Sequence, residues 1–346
     1  MVTYISRCVT LFCLAALLGA CSADEPTITS YKESWRLLAS ARNETFSISM
    51  PNGETASQTV WADKTGTDYG LTSITAFRDK LYLLHSVQPW IIVLDAFTMA
   101  SLDTMNLGAN GTVADIAFAN ATTAYVTLPA AGAIGVIDLT TGTLARIIDV
   151  GGSPQGIAAT GNQIIATLPL LNQAVIVDSR TNVVEARIET SIAPWYAEAD
   201  DLNNVFCIVA LGSGKSSGST EPPSAPMIDF ILATTRQRVK TLEVSGRATN
   251  AAAQLPTGLV VTRNEFAFIP VQNGLVRVNT RTRNRTNVVQ FEEFSGIAYN
   301  PSRAEILCRK ASGATTVCQV FDEFGEELRA TVTIADSISA HNAVGP

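Results

Sequence analysis

A repeat of about forty residues is the feature of this chain that most restricts its fold. A Gly-Ile-Ala-like element recurs at Ile74, Ile116-Ala117, Gly156-Ile157-Ala158, Tyr196-Ala197, Gly258-Leu259-Val260 and Gly296-Ile297-Ala298. Apolar runs closed by an acidic or amide residue follow, at Asp95, Asp138, Asp178, Asn279 and Asp322. One unit reads almost completely: Asp115-Ile116-Ala117-Phe118, then Ala124 to Leu128, Ile134 to Asp138, and Leu144 to Ile148. These are short strands separated by turns carrying Asn120, Pro129, Gly132 and Gly142, residues that hairpin turns require. Steps of roughly 40–45 residues with four strands each are the sequence sign of a β-propeller.

The expectation is therefore an all-β, seven-bladed β-propeller of four-stranded antiparallel blades spanning 31–336. The blades fall at about 31–66, 70–109, 110–152, 153–192, 193–247, 254–292 and 294–336, with 337–346 as a C-terminal tail. Composition agrees. Charged residues make up 16% of the chain, against roughly 25% in an ordinary soluble domain. Blades stack face to face, so inner strands are buried on both sides and read as unbroken apolar runs. Ile91-Ile92-Val93-Leu94 and Ala174-Val175-Ile176-Val177 do so. Asp138 and Asp178 are expected to cap the turns that follow them through side-chain to backbone bonds. The Gly/Ser/Pro-rich stretch from Gly212 to Pro226 reads as a surface loop inserted between strands of the fifth blade.

Within the clearest unit, Tyr125-Val126-Thr127, Val136-Ile137-Asp138, Thr141-Gly142 and Val150-Gly151-Gly152-Ser153-Pro154-Gln155-Gly156-Ile157-Ala158 resemble the YVTN-type propeller repeat, with Leu128 where the family's motif has Asn. Asn43-Glu44 with Ser47-Ile48-Ser49 is similar to the opening of secreted propeller lipoproteins, Thr45 standing where that group has Gly. The N-terminus agrees with such a destination. Residues 1–20 form a signal peptide: Arg7 closes a short basic region, and the apolar stretch from Cys8 to Ala20 is too short to span a bilayer. Leu18-Gly19-Ala20-Cys21 resembles the bacterial lipobox, which implies lipidation of Cys21, followed by a tether over 21–30. Three acyl chains give stable anchoring where one would be marginal. Ser22 implies an outer-membrane destination by the known sorting rule, and Asp24-Glu25 is similar to an outer-surface export tract.

Several chemistries find no support. Net charge is -7, or -8 once Arg7 leaves with the leader, and phosphate contacts dominate nucleic-acid affinity. The basic run Arg277, Arg281, Arg283 and Arg285 reads as a solvated turn. The two histidines, His85 and His341, have no nucleophile elbow, and no close His/Cys spacing suits zinc. Asp115, Glu198, Asp200 and Asp201 offer oxygens for a channel calcium ion but do not recur blade by blade. Gly214-Lys215-Ser216 lacks the earlier glycine of a phosphate loop, since Ala210 stands there. No catalytic residue, metal or cofactor is therefore expected. Of the cysteines left after processing, Cys207 reads as a buried thiol. Cys308 and Cys318, symmetric about Ser312-Gly313, are candidates for a cross-strand disulfide.

What remains is a binding face. Loops opening on one side of the ring carry Trp90, Gln155, Trp195, Tyr196 and Gln272. Aromatic faces supply contact area and amides supply direction, which suits a flat or sugar-like ligand. The expected function is non-enzymatic binding by an outer-membrane lipoprotein, at the cell surface or the periplasmic face. Resemblance to surface propeller lipoproteins implies capture of a nutrient such as a corrinoid for a TonB-dependent transporter. A lactonase-type hydrolase with a channel metal, and an envelope-complex scaffold, are the alternatives.

Overall fold

The structure is a computed structural model that describes residues 35–41, 44–50, 58–62, 70–213, 224–244, 256–271, 274–290, 292–312, 315–334 and 340–344. The expected leader, Cys21 and the tether lie outside these residues. Apart from two short 3-10 turns, all the described regular structure is β-strand. The strands form four-stranded sheets arranged as the blades of a β-propeller.

The blade count corrects the sequence reading. Only six sheets are, as the repeat implies, one unbroken run of chain each: 71–106, 116–149, 157–189, 194–243, 260–290 and 296–334. The remaining sheet is composite. Trp35–Ala41, Glu44–Met50 and Gln58–Ala62 supply three strands, and Ala340–Val344 supplies the fourth. That last strand pairs antiparallel with Trp35–Ala41, Leu38 opposite Asn342 and Ser40 opposite Ala340. It also sits between the inner strands Gly296–Asn300 and Leu71–Phe77. The expected seven self-contained blades and free tail are thus replaced by six such blades and a closure that joins both ends of the chain. Without Ala340–Val344 the inner edge of Trp35–Ala41 would be unpaired, and the added strand covers it. Ala-His-Asn-Ala-Val carries no apolar run, so nothing local marked it as a strand.

Between blades the packing is apolar. Tyr82, Leu84, Ile91 and Val93 of 71–106 meet Ile116, Val126, Leu128 and Ile137 of the next blade. Similar clusters join the second blade to the third and the third to the fourth. Each fully buried aliphatic side chain there contributes about 1.5–3 kcal/mol. Outer strands such as Ser101–Asn106 are mostly exposed, which explains why the apolar pattern fades at each repeat's end. A register shift recurs between the third and outer strands, at Val93/Leu94, Val136/Ile137, Ile176/Val177, Phe230/Ile231 and Val320/Phe321. Such bulges increase local twist.

The repeated acidic residues do cap turns. Asp138 Oδ1 accepts the N–H groups of Thr140 and Thr141, and Asp178 Oδ1 those of Arg180 and Thr181. Asp95 does the same for Phe97 and Thr98. The Thr140 N–H at Asp138 and the Thr98 N–H at Asp95 hold those carboxyls below the usual range.

The expected disulfide is not formed: Cys207, Cys308 and Cys318 are buried free thiols. The hairpin pairs Ser312 with Thr315, so Cys308 faces Gln319 and Arg309 faces Cys318. A one-residue offset puts two side chains on opposite faces of a sheet. Cys308 accordingly packs with Phe294 and Phe321, and Cys318 with Leu37 and Val332.

Candidate functional site: the central channel

Each contiguous blade contributes its first strand to the axis, and these strands enclose a cavity of 730 Å³. Its polar lining includes Asp115, Gln155, Tyr196, Glu198 and Arg309, with Trp195 at the start of the strand Pro194–Asp200. Tyr196 and Glu198 lie two residues apart on that strand, so they share a face.

Glycines shape this lumen. A Cβ on Gly156 would stand 2.5 Å from the Trp195 carbonyl oxygen and 2.7 Å from the Ala197 nitrogen. Two inner strands therefore touch backbone to backbone, and Gly156 N–H donates to Trp195 O at 2.9 Å. Thr167 reinforces the seam: its hydroxyl accepts from Gly156 N–H at 2.9 Å and donates to Trp195 O at 3.2 Å. Thr127 has the same place one blade earlier, accepting from Asp115 N–H and donating to Gln155 O. Gly296 has another role. A Cβ there would lie 2.8 Å from Arg309 Nε, so Arg309, on a second strand opposite Gly296, crosses the gap to line the cavity.

The charged groups are poorly compensated. Asp115 accepts from Ile116 N–H at 2.8 Å and from Ile157 N–H at 3.1 Å, tying two blades together. Burial nonetheless pushes its carboxyl up to about 7. Glu198 is exposed by surface area and lines the cavity. Burial first, then the charge of Asp115, with Asp201 adding less, raises it to about 8. Arg309 donates through Nε (3.3 Å) and Nη2 (3.1 Å) to Ser295 O. Its Nη1 is buried with no hydrogen-bond partner, and burial lowers its pKa. Burial also raises the phenol of Tyr196, with nearby Arg309 acting in the opposite direction. Among the described residues no ion pair links Arg309 to a carboxylate, or Asp115 or Glu198 to a cation.

Of the residues expected at the mouth, Gln155, Trp195 and Tyr196 line the channel. Trp90 does not. It packs on the core of its own blade and meets His85 edge-on at 5.6 Å. His85 is fully buried, and its Nδ1 accepts Val87 and Gln88 N–H groups, so it organises that loop. Gln272 lies outside the described residues. Arg309 was missed altogether, and Asp115 and Glu198 were weighed only as calcium ligands. Among the described residues no group of three or more His, Cys, Asp or Glu is placed to hold a metal ion. A sequence signal for Glu198 did exist. In the aligned inner strands its slot holds Phe118, Ala159, Val261 and Tyr299, so one carboxylate stands among apolar and aromatic residues.

No family model matches this chain, and no curated protein does. Solved structures do. A candidate 6-phosphogluconolactonase from Bacteroides fragilis superposes with a TM-score of 0.66 at 11% identity, covering 91% of this chain and 99% of that one. Hydrazine synthase from Kuenenia stuttgartiensis gives 0.62 at 14% identity, over 80% of this chain and 91% of that one. The computationally designed protein Ika8 gives 0.62 at 12% identity, over 89% and 90%. Likeness at this identity establishes the fold, and with the channel it defines the class: a β-propeller with a charged central lumen.

Proposed function

We propose that this protein is a non-enzymatic, ligand-binding β-propeller of the YVTN repeat type, anchored in the outer membrane through lipid on Cys21. Its ligand enters the channel between Trp195, Tyr196 and Gln155. The observation that carries this reading is the 730 Å³ cavity lined by aromatic faces, an amide and charged groups that the fold leaves without counter-charges. Sites for small organic ligands run roughly 300–1,000 Å³ and combine apolar walls with a few placed polar groups. A macrocycle as wide as a corrinoid would rest across the mouth on Trp195, for transfer to a TonB-dependent transporter. The test is a thermal-shift screen against corrinoids, haem, glycans, amino acids and divalent cations. Native-state binding raises the melting temperature as ligand exceeds its dissociation constant. A shift that Trp195→Ala abolishes supports the reading. Silence across the screen, with a cross-linked envelope partner instead, replaces it with a scaffold role.

A second reading, hydrolysis of a lactone or ester, has its own observation. Asp115 near 7 and Glu198 near 8 have the pKa values that general acid–base work at neutral pH requires. The likeness to a candidate lactonase is consistent with it at the level of fold. Turnover of a lactone panel that is lost in Glu198→Gln would favour this reading, and no turnover would remove it.

A further inference from the structure

In antiparallel four-stranded blades, the links between second and third strands and the links between blades emerge at the same end of the ring. At that end the segments 86–89, 107–114, 129–132, 150–156, 169–172, 190–195 and 211–213 form a continuous belt. Leu107 N–H donates to Pro89 O at 2.8 Å, and Gly212 N–H donates to Ile192 O at 2.9 Å. Asn172 Oδ1 accepts from Ala193 N–H at 2.9 Å. Elsewhere the loops touch closely. A Cβ on Gly111 would stand 2.9 Å from Ala130 Cβ, one on Gly132 3.0 Å from Gly152 O, and one on Gly152 3.1 Å from Leu171 Cδ1. No Asp, Glu, Lys or Arg occurs in these segments. Val87, Leu170, Leu171, Ile192 and Trp195 are exposed on them, Leu170 at 78%. Turns at the other end of the same blades carry Arg78, Asp79, Arg180, Asp201 and Arg236.

We propose that this uncharged belt is a self-association surface whose occupant is a second copy of the chain. Contiguous exposed apolar surface marks an interaction site, and charge selects the partner. The chain carries a net charge of -7, so two copies repel wherever their carboxylates meet. A two-fold interface presses one patch against itself. A charged patch resists that, and a neutral apolar one accepts it. Carboxylates also bound the belt. Asp149 and Glu189 end outer strands at this end of the ring, and Glu292 and Glu293 occupy a later link between blades. Size agrees: a stable interface takes about 20–30 residues from each partner, as many as these loops supply. A highly charged partner finds nothing here to pair with. The inference does not depend on what the channel binds, although Trp195 belongs to the belt and to the cavity lining alike.

The test is sedimentation velocity of the purified protein from roughly 0.1 to 100 μM, a range set by the μM to pM affinities of interfaces this size. Dimer is expected within it. Added salt should leave association unchanged or strengthen it, since salt screens only repulsion here. Leu170→Glu and Ile192→Glu lie on separate loops and, being exposed, should fold. Each sets a new negative charge on both copies and is expected to weaken association at least about tenfold. Leu202→Glu, at a leucine 70% exposed on the opposite end, should leave it unchanged. Monomer throughout the range overturns the proposal, and monomer that floats with phosphatidylcholine vesicles reassigns the belt to a lipid surface. A dimer that both belt variants keep, or that salt dissociates, overturns it as well.

Discussion

The seams between blades and the lumen they surround follow opposite rules. At the seams, fully buried side chains such as Tyr125, Phe206, Phe230 and Phe268 fill the space. Thr127 and Thr167 pair their hydroxyls there, although Thr262, Asn300 and Gln319 within the blades each keep one buried atom without a hydrogen-bond partner. Tyr125 keeps its hydroxyl satisfied by donating to Ser179 O or Asn182 Oδ1. In the lumen, Asp115, Glu198 and Arg309 bring like charges together or leave a donor unused. Unpaired buried polar groups cost stability. The lumen differs in gathering Asp115, Glu198 and Arg309 with no ion pair to any of them among the described residues.

The contrast can be broken at several points. The largest effect belongs to closure: removing 340–346 takes away the strand that joins Trp35–Ala41 to the ring. We expect loss of the cooperative melting transition by calorimetry. A truncated chain that melts like wild type would show that the composite sheet is dispensable. Next, Phe230→Ala in the seam between 194–243 and 260–290 should cost about 3–5 kcal/mol in chemical denaturation. Thr167→Val, which removes the hydroxyl shared by Gly156 N–H and Trp195 O, should cost about 1–3 kcal/mol. It should also weaken any ligand that depends on Trp195.

The lumen is expected to answer to pH rather than to packing. Asp115 and Glu198 have folded pKa values of about 7 and 8, above their ordinary 3.8 and 4.5. The folded state therefore binds protons more tightly than the unfolded chain, and stability falls as pH rises through that window. Melting temperature should decline from roughly pH 4 to roughly pH 8, the span between the ordinary and the folded pKa values. Glu198→Gln should flatten the decline and change little at its acidic end. Parallel profiles for the two proteins would place Glu198 in ordinary solvent. The smallest effect is a null: dithiothreitol should leave melting unchanged, because Cys308 and Cys318 face opposite sides of their sheet. A lowered melting point under reduction would contradict that register.

The blades were legible because the constraint is local and repeated. Ile91 to Leu94, Ala124 to Leu128 and Ala174 to Val177 each announce a strand buried on both faces. Asp138 and Asp178 announce their turns within three residues of themselves. The site was legible only in part. Trp195 and Tyr196 stood out as aromatics in a loop and do reach the channel, whereas Trp90, equally prominent, turned into its own blade. Arg309 lies on a second strand and gains the lumen only because Gly296 opposite it has no side chain.

The sequence by itself determined what depends on near neighbours: the strand lengths, the turn chemistry and a propeller repeat with apolar seams. Tertiary structure alone decided three things. The ring closes by borrowing Ala340–Val344, two cysteines at a hairpin fall on opposite faces, and an arginine and two carboxylates from separate blades share one lumen. Each depends on register or ring geometry, where a shift of one residue reverses a side chain's direction and contacts join residues far apart in the chain.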